Sequence, residues 1–131
     1  METEKSKGQS LLEFALTLPI FVWLVLGLFD LGHGVACYSL LTNSAREGAR
    51  AGIFPQTDDG TIISAVNSQT IILGNIPSSD ITITPSAQSD RTSGSSIEVT
   101  VVYHFQPVTP LVANVVGSTI TMTASSDMPI E

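Results

Sequence analysis

The chain has 131 residues, enough for one small domain beside a hydrophobic segment. Its formal charge is −7, and beyond Arg50 the only base is Arg91, against Asp58, Asp59, Asp80, Asp90, Glu98, Asp127 and Glu131. An acidic domain of this kind repels nucleic acid and anionic lipid, which argues against both as partners.

Residues 1–8 are short and polar, with Glu2 and Glu4 balanced by Lys5 and Lys7, and they read as a leader rather than as structure. An apolar run follows from Leu11 to Phe29. A bilayer needs about 17–25 residues of helix, so the run is long enough to span one. Inside it stand one carboxylate, Glu13, and one proline, Pro19. An acid in a membrane span is costly, and is a functional candidate for that reason. Pro19 removes a backbone hydrogen bond, so a kink or local unwinding is expected over 15–19. Asp30, His33 and the Gly32/Gly34 pair mark the exit from the hydrocarbon. Lys5 and Lys7 precede the span and no base follows until Arg46, which puts the N-terminus in the cytoplasm and the domain outside. A cleaved secretory signal is the rival reading, with Gly32 to Ala36 as its arguable cleavage region, but no small-residue site follows promptly and the apolar run exceeds the usual length of such a signal.

From Val35 to Ile53 apolar or small residues recur at Ala36, Leu40, Leu41, Ala45, Ala49 and Gly52, which is helical spacing. The expected organisation is a helix over 9–54, spanning the membrane at about 11–31 and continuing as a stalk to about 52, where Pro55 ends it. A helix of about 60 Å cannot bury its surface in a domain of residues 55–131, so much of it should pack on other copies. Cys37, the single cysteine, excludes an intrachain disulfide. It reads as a small buried apolar residue, with an intersubunit disulfide or a lipid site as alternatives.

Asp58-Asp59-Gly60 offers a cap for a second helix over Thr61 to Leu73, closed by Gly74-Asn75. A calcium loop is the sharper reading of that acidic pair, but no matching ligands follow. The remainder turns to period two. Ile81 to Thr84 alternates and stops at Pro85, and Ile97 to Phe105 is a clear half-buried strand. Thr109-Pro110 starts a helical turn that Gly117 stops, and Thr119 to Ala124 alternates again. The fold class is therefore α+β: a long N-terminal helix, then a short helix and an antiparallel sheet of three or four strands, whose apolar face packs on the second helix and the stalk.

No catalytic constellation is legible. His33 and His104 are isolated, no Cys/His metal spacing occurs, and there is no phosphate-binding glycine loop or nucleophile elbow. The acids are scattered. The chain reads as the substrate of an enzyme rather than an enzyme, with no metal and no cofactor.

Gly8-Gln9-Ser10-Leu11-Leu12-Glu13-Phe14 resembles the processing site of type IV pilin-like proteins, and the longer run to Phe21 is similar to the TadE-like minor pilins of tight-adherence pilus systems. Asp30-Leu31-Gly32-His33 and Ala45-Arg46-Glu47-Gly48-Ala49-Arg50-Ala51-Gly52 resemble further stretches of that family, and 97–128 does so more weakly. The tail departs, with Pro129 where the family pattern has arginine. The resemblance implies cleavage between Gly8 and Gln9 by a prepilin peptidase. It then implies packing of the N-terminal helices into a filament, with Glu13 offsetting the new amine of an adjacent subunit. Implied partners are other copies or related pilins, the peptidase and an inner-membrane assembly platform. The implied location is the inner membrane, and then an extracellular pilus. Arg46 and Arg50 share a helix face, and an acid within the domain or on a neighbouring subunit is their candidate partner, solvation being equally open. Asp30 and Gly48, as motif residues, are candidates for contacts between subunits. The sequence leaves open a major or a minor subunit. The rival from another class is a permanently anchored extracytoplasmic binding domain. A hydrolase or metal protein is the weakest reading.

Overall fold

A computed structural model describes the backbone over residues 2–131, with side chains at 8–110 and 112–131. The leader reading over 1–8 falls, apart from Gly8, on residues whose side chains lie outside that description. The elements are helix α1 (Glu2–Ala51), helix α2 (Asp59–Gln69), strand β1 (Ile81–Thr84), strand β2 (Ser96–Phe105), short helix α3 (Pro110–Val116) and strand β3 (Ile120–Pro129). This is the expected α+β arrangement of a long apolar helix followed by a small domain with a short helix and a three-stranded antiparallel sheet.

At 50 residues α1 is about 75 Å long. The chain stays helical through Pro19, so the expected unwinding over 15–19 is absent. The Thr17 hydroxyl donates to the Glu13 carbonyl at 2.8 Å in this turn.

Only the C-terminal part of α1 belongs to the domain core. Cys37, Leu41, Ser44, Ala45, Gly48, Ala49 and Gly52 recur every three or four residues and are buried. The sheet has the order β1-β2-β3. Its inner face presents Ile81 and Ile83, then Ile97, Val99, Val101 and Phe105, then Ala124 to this stripe. Small residues on α1 let its partners come close. A β-carbon on Gly48 would stand 2.5 Å from Val66 Cγ2 and 3.1 Å from Val99 Cγ1. One on Gly52 would collide with Ile97 Cδ1. The two glycines are where α1 meets α2 and β2 together.

α2 begins as expected and ends early. The Asp58 carboxylate accepts from the Thr61 backbone N–H at 3.1 Å and from its hydroxyl at 2.7 Å, a capping arrangement. The helix stops at Gln69 rather than Leu73. The cause is Asn67, whose side chain accepts from Ile76 N–H at 2.8 Å and donates to Ile76 O at 3.3 Å. Those bonds fold the chain back, and leave Ile71 and Ile72 exposed. β3 is longer than its sequence pattern, pairing with β2 from Ile120 opposite Phe105 to Pro129 opposite Ser96.

Arg91 is buried among loops. Its Nη2 meets Asp59 Oδ1 at 2.6 Å, Nη1 donates to Thr57 O at 3.2 Å, and Nε donates to Pro85 O at 3.2 Å. A buried guanidinium is tolerable only with its donors satisfied in this way.

Candidate functional site

The N-terminal part of α1 carries Gly8 to Phe14 and is exposed along its length, with α3 approaching it near Trp23 to Leu31. Leu11, Phe14, Ile20, Leu24 and Phe29 are 62–68 % exposed. Burying one such side chain is worth about 1.5–3 kcal/mol, so this surface requires an apolar medium or other helices. The helix over Gly8–Ala51 is long and apolar enough to cross a membrane.

Gly8 and Gln9 lie on the exposed helix, with open space around the Gly8 α-carbon. Glu13 is the only charged residue between Gly8 and Asp30. Its carboxylate accepts from the Gln9 side-chain amide at 3.4 Å, one helical turn away. The residue that a cut after Gly8 would make N-terminal thus stands over Glu13 on the same face.

The other motif residues are placed differently. Asp30 is only 2 % exposed. Its Oδ1 accepts from Val108 N–H at 3.0 Å, and its Oδ2 accepts from Thr109 N–H at 2.9 Å and from the Thr109 hydroxyl. It joins α1 to the start of α3. Next to it His33 meets the Phe105 ring edge-on, with centroids 5.3 Å apart. Gly48 faces the core. Asp30 and Gly48 therefore make contacts within the chain. Arg46 and Arg50 point outward, and Arg50 lies 3.8 Å from Glu47 across an exposed helix turn. Cys37 is buried against the domain, and burial pushes its thiol pKa up. Among the described residues, no group of three His, Cys, Asp or Glu is placed to hold a metal ion.

The pairing of Asp30 with Val108 and Thr109 escaped the sequence reading, because its partners lie 78 and 79 residues away. The only local signal was a carboxylate at the end of an apolar run, which needs donors if it is not in water.

No curated protein and no solved structure matches the chain. The family model described as TadE-like protein matches residues 8–50. That stretch runs from Gly8 to Arg50, and covers both the exposed half of α1 and the half that the domain buries. Residues 8–50 of the N-terminal helix are thus similar to the TadE-like family.

Proposed function

We propose that the chain is a structural subunit, a minor pilin or pilin, of a tight-adherence pilus. On this reading a prepilin peptidase cuts it after Gly8 in the inner membrane, and an assembly platform then packs it through its N-terminal helix among its own copies or related pilins. It acts as an assembled part rather than as an enzyme. The observation that carries the reading is the division of α1. Its C-terminal part is covered by its own domain, while Leu11 to Phe29 is largely exposed and carries a single carboxylate. Lipid can cover that surface before assembly, and neighbouring helices can cover it after.

Glu13 makes the choice of neighbours specific. In a dry bundle an unpaired carboxylate is costly, whereas one paired with an ammonium is tolerable. Cleavage between Gly8 and Gln9 creates that ammonium on every subunit, one helical turn from its own Glu13, so copies shifted along the axis can exchange the pair. The test is the sheared surface fraction of cells carrying Glu13→Gln. The variant is expected to be cut normally and to fall at least about tenfold in the fraction, the effect of roughly 1.4 kcal/mol. Recovery of Glu13→Gln at wild-type amounts would contradict the pairing. Absence of the wild-type chain from sheared filaments would contradict the pilus reading itself.

A further inference from the structure

The connection between the last two strands is unlike the rest of the domain. From Gln106 to Thr119 it contains no charged residue, in a chain of net charge −7. The structure sets its helix, α3, beside the apolar half of α1. Thr109, Pro110 and Asn114 share a groove with Trp23 and Leu26. Val112, Val115 and Val116 share another with Leu24, Leu28 and Leu31. Much of this apolar surface is uncovered: Val108, Val115 and Val116 are 68 %, 79 % and 55 % exposed. Asp30 holds the connection in place by accepting both backbone N–H groups of Val108 and Thr109.

The level of α3 along α1 fixes what it meets. Leu11 to Phe29 measures about 28 Å as helix, close to the roughly 30 Å of hydrocarbon in a bilayer. Trp23 stands about 9 Å inside the Phe29 end. A helix lying at a membrane boundary is buried by about 5–10 Å. With Leu11 to Phe29 in a bilayer, α3 is thus brought to the depth of such a helix on the domain's side.

We propose that α3 and its flanks form a second membrane contact, a foot in the boundary of the leaflet on the domain's side, with Val108, Val115 and Val116 against acyl chains. The proposal rests on α1 being a membrane anchor and goes beyond it. It gives a reason for the missing charges, since an acidic side chain on this face would be stranded at the hydrocarbon edge. It also gives Asp30 a second role. Its carboxylate lies at that edge with its hydrogen bonds met from within the subunit, so it need not seek water. The foot would hold the sheet at a fixed tilt to the membrane until the subunit leaves for a filament.

The test uses the full chain with Cys37→Ala and one new cysteine at Leu24, Val115 or Ser86, the last on the exposed loop after β1. Each is labelled with an environment-sensitive fluorophore and reconstituted in phosphatidylcholine vesicles. The expected result is blue-shifted emission and loss of intensity to doxyl-labelled lipid at Leu24 and Val115, with Ser86 quenched only by aqueous iodide. A Val115 label that behaves like Ser86 while Leu24 reads lipid overturns the foot and leaves the anchor standing. A Val115 label shielded from iodide yet untouched by doxyl lipid also overturns it, and points to a second copy covering the face. Leu24 and Val115 both in water overturn the anchor, and the foot with it.

Discussion

Asp30 shows how one side chain can hold two parts of a small domain together. Two backbone donors and a hydroxyl converge on its carboxylate, so removing the acceptor strands the buried Thr109 N–H and hydroxyl rather than merely deleting a contact. Asp30→Ala is expected to lower the thermal midpoint of the solubilised chain by roughly 4–8 °C, and to raise amide exchange first over 106–117. An unchanged midpoint would show that the joint carries no stability. Asp58 offers a test by pH. The Thr61 hydroxyl and then the Thr61 N–H hold its carboxyl below the ordinary carboxylate range. A carboxylate so depressed adds stability in full above its unfolded value of about 3.9, and loses it as pH falls through the folded value. Exchange protection at the start of α2 is therefore expected to fall in acid below about pH 4, and Asp58→Asn to flatten that dependence. The effect is small, because the residue is exposed to solvent.

At the scale of elements, the glycines of α1 divide into those that touch something and those that do not. Gly→Ala inside a helix ordinarily gains about 0.5–1 kcal/mol. Gly32 has nothing within 4 Å, so Gly32→Ala should show that gain. Gly48 meets Val66 and Val99, so Gly48→Ala should instead lose about 1–3 kcal/mol through overpacking. Chemical denaturation of the two variants checks the contrast, and a Gly48→Ala chain as stable as Gly32→Ala would refute the close packing. These elements were legible to different degrees. β2 alternates cleanly because one face is buried along its length, and the Asp58 cap lies next to the helix it starts. The end of α2 was hidden because Asn67 closes it through Ile76, beyond the helix and outside any helical period. β3 ran past its apolar pattern because Ser125, Ser126 and Asp127 are held by pairing with β2 rather than by hydrophobicity. At the candidate site, Gly8, Gln9 and Glu13 were legible as a local motif. The inward roles of Asp30 and Gly48 were not, since both depend on partners distant in sequence.

For the whole molecule, the governing fact is an imbalance. The domain satisfies itself, from Arg91 in its loops to Glu131 N–H bonded to Ile53 O at 2.9 Å, while half of α1 is left uncovered. A chain lacking Leu11 to Phe29 is therefore expected to stay in solution, and the full chain to partition into membranes; carbonate extraction of the two separates these outcomes. The most direct measurement of the central claim is the N-terminal residue of the chain, recovered from cells with and without the prepilin peptidase. The account predicts a start at Gln9 with the enzyme and an uncut Gly8–Gln9 bond without it. An uncut Gly8–Gln9 bond in both would contradict the pilin reading and leave a permanently anchored domain.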